Sequence, residues 1–305
     1  MQIKLLAIKC RLRVTGQVKE KMSTEPNKNL FNYSISKLPR PRWNVLDLIE
    51  VMNKGNVPTY ILCDVDMTWA EDLRQRLKSV GVKVTVTAIL LKAIAIAQRA
   101  HPESRTLRMP WGRQVTLGNI VAGFTVERFV GSQAAVFFGA IDDADTKPVE
   151  QIAEELKAYG TSDLDEVAQL NVQNRFNNFP WLIRQFILMM GRQFPAFRLK
   201  YQGATFGLST LGKYGAKVLI PPCVTTSIFG IGSVEDRAVV RDGEIQIRPM
   251  MTIVLNFDHR IIDGAPAARF LQDVRRLMEG GLEGYLTGDL PPLKMQVDNA
   301  SMSLS

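Results

Sequence analysis

Histidine is scarce in this chain: His101 and His259 are the only two in 305 residues. Cysteine is scarce too, with Cys10, Cys63 and Cys223 scattered and odd in number. That usage argues against a disulfide framework and for a reducing compartment. With two histidines and no C-x-x-C pair, it also argues against a zinc site. The acidic run Asp142-Asp143-Ala144-Asp145 lacks the glycine and downstream glutamate of a calcium loop, and reads as a solvated turn before a helix. No stretch reaches the ~18 apolar residues of a membrane span. The nearest, Trp181 to Met190, is interrupted by Arg184 and Gln185. No aromatic-interleaved basic motif for nucleic acid is present. The formal charge of +8 therefore reads as basic segments and solvated faces, or as a surface suited to an anionic ligand.

What is present is ordinary for a globular protein: 46% hydrophobic and 22% charged residues, enough for one large domain or two small ones. Residues 1–28 read as a basic and polar extension. Met1 to Lys21 holds six Lys or Arg against one acid, and Met22 opens a second plausible start, so the first 21 residues read as a translational extension, with a transit peptide as the alternative that the lack of serine before Ser23 disfavours. From residue 29 the pattern is α/β. Helices are expected at 45–52, at 68 onward with Thr68 as cap, at 87–100 and at 149–156. Strands are expected at 60–67, 120–126 and 134–141. His101 falls at a helix end and reads as structural. The segment 175–200 is aromatic, basic and amphipathic. It reads as a helix packed on its own domain or on a neighbouring subunit, with the wall of an apolar ligand pocket or a membrane-surface contact as sharper alternatives. Residues 291–305 read as a polar tail.

The most informative stretch is Asp258-His259-Arg260-Ile261-Ile262-Asp263-Gly264. An alternating apolar run, Met251 to Phe257, delivers the histidine as if at a strand end. Ala267, Phe270, Leu271, Val274, Leu277 and Met278 follow at helical spacing. Imidazole titrates near neutrality and is the common general base for a thiol or alcohol. A buried structural histidine is the alternative. Upstream, Gly203-Ala204-Thr205-Phe206-Gly207-Leu208-Ser209-Thr210-Leu211-Gly212 reads as a strand and turn. Leu211 breaks the G-x-S-x-G pattern of a hydrolase elbow.

Together with Arg248-Pro249-Met250-Met251 and Gly264 to Leu271, these motifs resemble the catalytic domains of dihydrolipoamide acyltransferases, the E2 components of 2-oxo acid dehydrogenase complexes. The resemblance covers roughly residues 29–285, within an acyltransferase catalytic domain expected over 29–290, and implies the fold shared with chloramphenicol acetyltransferase, a mixed sheet with flanking helices. It implies CoA-dependent acyl transfer to a thiol or small-molecule acceptor, with His259 as base and Ser209 as oxyanion donor. Asp263 would fix the active-site turn through an ion pair to Arg42 or Arg40, and Gly264 would permit a close turn. It further implies acyl-CoA as substrate, no metal, a homotrimer with His259 and Ser209 meeting across an interface, and a lipoyl or carrier domain supplied in trans. The expected form is stand-alone and cytoplasmic (or in the mitochondrial matrix), assembled as a discrete trimer because the tail is polar. A non-catalytic, E2-like scaffold subunit is the alternative. Two departures stand out, the segment 175–200 and Gly131 to Gly139, where E2 domains usually carry a Gly-Leu-x-x-Pro-Val type of strand.

Overall fold

The computed structural model describes residues 40–131, 133–194, 197 and 203–287, all within one compact unit. The expectations for residues 1–28 and 291–305 lie outside the described residues.

A 3-10 turn at Arg40–Arg42 leads into α1 (Trp43–Met52), β1 (Pro58–Asp66) and α2 (Thr68–Ser79). Thr68, expected as a cap, is instead the first helical residue. Its N–H and hydroxyl both donate to Asp66, at 3.0 and 2.5 Å, so the acceptor comes from two residues earlier. The next helix, α3 (Val86–Ala100), is capped by Thr85, which accepts from the Ala88 N–H at 3.2 Å. It is buried nearly all round, as its run of Ala, Ile and Leu requires. The one cation in its interior, Lys92, donates to the carbonyls of Asp145 and Lys147 at 2.8 and 2.7 Å. Burial pushes its ammonium down to about 8. The acidic turn is thus only partly solvated: Asp142 and Asp143 are exposed, whereas the Asp145 side chain is buried against Arg99.

After a small ribbon of β2 (Thr106–Arg108) and β3 (Gln114–Thr116), β4 (Val121–Val130) and β5 (Gln133–Asp142) form a hairpin. Then come α4 (Val149–Thr161), α5 (Ala168–Phe176) and α6 (Trp181–Gln193). The chain continues through β6 (Phe206–Thr210), β7 (Ser227–Arg241), β8 (Glu244–Asp258) and α7 (Gly264–Arg276). The six-stranded sheet runs β1-β8-β7-β6-β4-β5. It is mixed, because β6 lies parallel to both β4 and β7 while the other pairs are antiparallel. Helices α3 and α7 share one continuous apolar core with its inner strands, in which Phe206, Phe229, Phe257 and Phe270 are fully buried. The opposite side of β7 is crossed by residues 216–221. A Cβ on Gly230 would sit 1.9 Å from the Leu219 carbonyl oxygen, so only glycine allows that crossing. Buried on both faces, β8 reads as a mostly apolar run from Met250 to Phe257, with Thr252 and Asn256 as its two polar positions.

Candidate active site

His259 leaves the end of β8 just where the sheet stops. Its N–H donates to the Val57 carbonyl at 2.9 Å, one residue beyond the last β1–β8 pair, Pro58 with Asp258. The imidazole lies 5.8 Å from the Phe257 ring and is 42% exposed. The backbone of His259 is fixed at the strand end, beside a tilted Phe257 ring, and its side chain is open to a ligand.

Asp258 and Arg260, on either side of it, fix the turn. The buried Asp258 carboxylate accepts from the Val57 N–H and the Arg260 N–H, each at 3.2 Å, and from the Arg260 guanidinium at 2.9 and 2.5 Å. Burial alone would raise this carboxyl. The hydrogen bonds from Arg260 and Val57 outweigh it and hold the group below the ordinary aspartate value. Arg260 also donates to Asn56 at 2.6 Å, and Asn56 to the Cys223 carbonyl at 2.6 Å. The turn is therefore tied directly to residues 56–57 and, through Asn56, to the segment at Cys223.

The clamp expected from the sequence is an ion pair from Asp263 to Arg42 or Arg40. Asp263 is 87% exposed, and its carboxylate stands 3.8 Å from His259 Nδ1, within ion-pair range but too far for a hydrogen bond. Among the described residues it forms no ion pair with Arg40 or Arg42, both of which are exposed ahead of α1. Gly264 opens α7 without a left-handed φ, and a Cβ there would meet nothing within 4 Å. Within one chain, then, Gly264 makes no close approach. Within the chain Asp258 holds this turn, and it lay hidden because a strand-end aspartate two residues before an arginine has no distinctive pattern.

Ser209 sits on β6 with its hydroxyl 3.1 Å from that of Thr125, its neighbour on β4. If Thr125 donates, the Ser209 proton is left to point outward. Sequence reading missed Thr125, whose strand carries no motif. Ser209 pairs with Gly230, and Gly230 with Val254. His259 lies five residues beyond Val254 and two strands away. At ~3.3 Å per residue and ~4.8 Å per strand, that places it roughly 19 Å from Ser209. The two residues do not meet within one chain.

His101 takes no part in this region. It ends α3 and reaches Asp273 of α7 at 2.8 Å and Glu103 at 3.4 Å. Among the described residues no cluster of His, Cys, Asp or Glu could hold a metal, and no helix is long and apolar enough to cross a membrane.

Residues 197–284 match the family model of the 2-oxoacid dehydrogenases acyltransferase catalytic domain. A dihydrolipoyllysine-residue acetyltransferase component of pyruvate dehydrogenase complex from Zymomonas mobilis is 30% identical over 236 residues, covering 74% of this chain and 46% of that protein. A dihydrolipoyllysine-residue succinyltransferase component of 2-oxoglutarate dehydrogenase complex from Rickettsia conorii is 46% identical over 81 residues, 25% of this chain and 20% of that protein. The chain thus spans less than half the length of these relatives. In fold it is similar to the dihydrolipoamide acetyltransferase of Azotobacter vinelandii, with TM-score 0.64, 23% identity and coverage of 86% and 98%. It is also similar to a probable dihydrolipoamide acetyltransferase from Listeria monocytogenes, with TM-score 0.60, 21% identity and coverage of 81% and 95%. The expected mixed sheet with flanking helices is that of the E2 catalytic cores.

Proposed function

We propose, from the premise that this chain is kin to the 2-oxoacid dehydrogenase acyltransferase catalytic domains, that it moves an acyl group between CoA and a second thiol. His259 acts as base and Ser209 as oxyanion donor. The observation that carries the reading is the open, rigidly held His259 at the end of β8, inside the matched segment. Spacing supports it. In the Azotobacter acetyltransferase, catalytic roles were investigated for a histidine, a serine 52 positions before it and an asparagine four after it. Here Ser209 precedes His259 by 50 and Asp263 follows it by four.

A free thiol with pKa ~8.5 is mostly protonated at neutral pH. His259 takes that proton as the sulfur attacks the acyl carbonyl, forming a C–S bond and leaving a tetrahedral oxyanion. Ser209, with Thr125 behind it, donates to that oxygen. Collapse breaks the original C–S bond, and the departing thiolate recovers the proton from the imidazolium. Asp258 and Arg260 position the base, and the Asp263 carboxylate stands 3.8 Å from its Nδ1. Because Ser209 and His259 stand two strands and five residues apart, the site is shared between copies, and we assign a homotrimer. The second thiol is a dihydrolipoyl group, or another carrier, presented by a partner.

A panel of acyl-CoAs with dihydrolipoamide and other thiols tests this. His259→Ala should lower kcat by about 10²–10⁴. Ser209→Ala should lower it by about 10²–10³. If no donor and acceptor pair turns over faster with the wild type than with His259→Ala, the proposal is wrong.

A further inference from the structure

Helix α6 is built inside out. Arg184 faces inward and binds the buried carboxylate of Asp47 on α1 at 2.6 Å, while Gln185 reaches the same group at 2.9 Å. Leu182, Phe186 and Met189 consequently point to solvent, Leu182 being 72% exposed. Trp181 and Phe194 are exposed at the two ends of the helix. The spacing 182, 186, 189 keeps to one side, so these residues form an apolar stripe about 20 Å long. An ion pair thus fixes the polar side against the domain and leaves the apolar side uncovered.

The charge around that stripe is of one sign. From Val167 to Val234 the sequence has seven Lys or Arg and no Asp or Glu. Nearly all of the net charge of +8 therefore arises there, and the rest of the chain is close to neutral. Arg175, in the last turn of α5, and Arg192, in the last turn of α6, are both exposed. The helix beneath, α1, carries two acids: Asp47, already paired with Arg184, and the exposed Glu50.

The β7–β8 hairpin shows what this charge adds. Its outer part is also inverted, with Arg237 and Arg241 turned toward β1, where they pair with Asp64 at 3.0 Å and Asp66 at 3.8 Å. Val240, Ile245 and Ile247 face outward. Exposed carboxylates flank them, however, at Asp236, Asp242 and Glu244. Both faces are apolar, but a negatively charged surface would repel the hairpin and attract α6. Aromatic residues at the ends of an apolar stripe, with arginines at its flanks, suit the boundary between hydrocarbon and anionic headgroups.

We propose that α6 lies in the plane of a membrane surface carrying anionic phospholipid. Leu182, Phe186 and Met189 sit among the acyl chains, and Arg175 and Arg192 reach the phosphates. A Cβ on Gly55 would stand 3.6 Å from the Arg260 guanidinium and 4.0 Å from that of Arg192, so the C-terminal end of α6 lies beside the turn that holds His259. Docking brings that turn to the lipid surface. The inference goes beyond the acyltransferase reading and does not rest on it.

The test uses the full chain and sucrose-loaded vesicles, made of phosphatidylcholine alone or mixed with phosphatidylglycerol. The wild type should pellet with the mixed vesicles and much less with phosphatidylcholine. Its binding should fall as salt rises from about 0.05 to 0.5 M. Leu182→Ser with Phe186→Ser should weaken binding by at least about tenfold, because two large side chains no longer enter hydrocarbon. Arg175→Gln with Arg192→Gln should weaken it too, and flatten the salt dependence. Circular dichroism and urea midpoints matching the wild type show that these losses are not unfolding. If the serine pair unfolds, the arginine pair and Trp181 decide. Trp181 emission should shift to the blue when mixed vesicles are added, and Trp181→Phe should bind yet lose most of that shift. A wild type that stays in the supernatant, or a folded serine variant that binds as the wild type does, overturns the proposal. A shift kept in Trp181→Phe and lost in Trp111→Phe gives the contact to the exposed turn between β2 and β3, and overturns it. Equal binding to the two kinds of vesicle overturns the headgroup assignment. A serine variant lighter than the wild type in light scattering, with no vesicle binding by either, gives the stripe to another copy of this chain and likewise overturns the proposal.

Discussion

Helices α6 and α7 are both 13 residues long and both amphipathic, yet they face opposite ways. On α7, Ala267, Phe270, Leu271 and Val274 enter the core and Arg275 and Arg276 lie outside. On α6, Arg184 enters while Leu182, Phe186 and Met189 lie outside. Apolar periodicity therefore defines a stripe without defining its direction. A charge with a prepared acceptor orients the helix. Asp47 offers Arg184 a buried carboxylate, and Trp43 adds its ring 5.0 Å from the guanidinium. Breaking such a pair costs more than apolar exposure in one copy, whose stripe is left for another surface.

The sharpest contrast comes from the same substitution on each helix. Phe270 is fully buried and packs edge-on against Phe229 with centroids 5.5 Å apart. Phe270→Ala should destabilise the fold by about 3–5 kcal/mol in urea unfolding, through lost burial and a cavity. Phe186→Ala, measured without lipid, should stay within about 0.5 kcal/mol. Similar costs at the two positions would mean that α6 is packed as α7 is.

Removing the acceptor tests what orients α6. Asp47→Ala leaves the Arg184 guanidinium buried with only the Phe179 carbonyl, at 2.9 Å, and Trp43 beside it. The loss should be about 3 kcal/mol, because an uncompensated buried charge is more costly than the pair itself. Replacing both residues by apolar ones of similar size should recover most of that loss. Hydrogen exchange along 181–193 should quicken in Asp47→Ala and return to the wild-type rate in the double variant. An unchanged rate in Asp47→Ala would remove the ion pair from the argument.

Much of this is legible in the amino-acid sequence. The run from Met251 to Phe257 reads as a strand because it has only one fate, burial on both faces, and the spacing from Ala267 to Val274 reads as α7 because one side is consistently apolar. The His259 motif is local, and its residues follow one another along the chain. What escaped is what depends on partners distant in sequence. Asp258 holds the turn through Val57 and Arg260, and Thr125 meets Ser209 across 84 residues. Arg184 seemed only to interrupt an apolar run until Asp47, 137 residues earlier, appeared beneath it. The hairpin beyond Ile231 was missed because its solvent side is apolar and its inner side charged, the reverse of what alternation normally signals.

His101 sets the smallest of these effects and the one with a pH signature. It ties the end of α3 to α7 through Asp273 and lies 5.3 Å from Phe270. Burial disfavours its charge, but the hydrogen bonds to Asp273 and Glu103 outweigh burial and raise the imidazole from 6.5 to about 9. A group whose pKa is higher folded than unfolded adds stability in full below its unfolded value. That stability is lost as pH rises through the folded one. The contribution should therefore be complete below about pH 6.5, at about 2–3 kcal/mol, decline between there and about pH 9, and be gone above it. Comparing wild type with His101→Gln in urea from pH 6 to 10 reads this directly. The gap between their midpoints should close toward the alkaline end, where deprotonation removes the charge that Gln never had. A gap for His101→Gln that is constant with pH would mean that the ring stabilises the α3–α7 contact by packing alone.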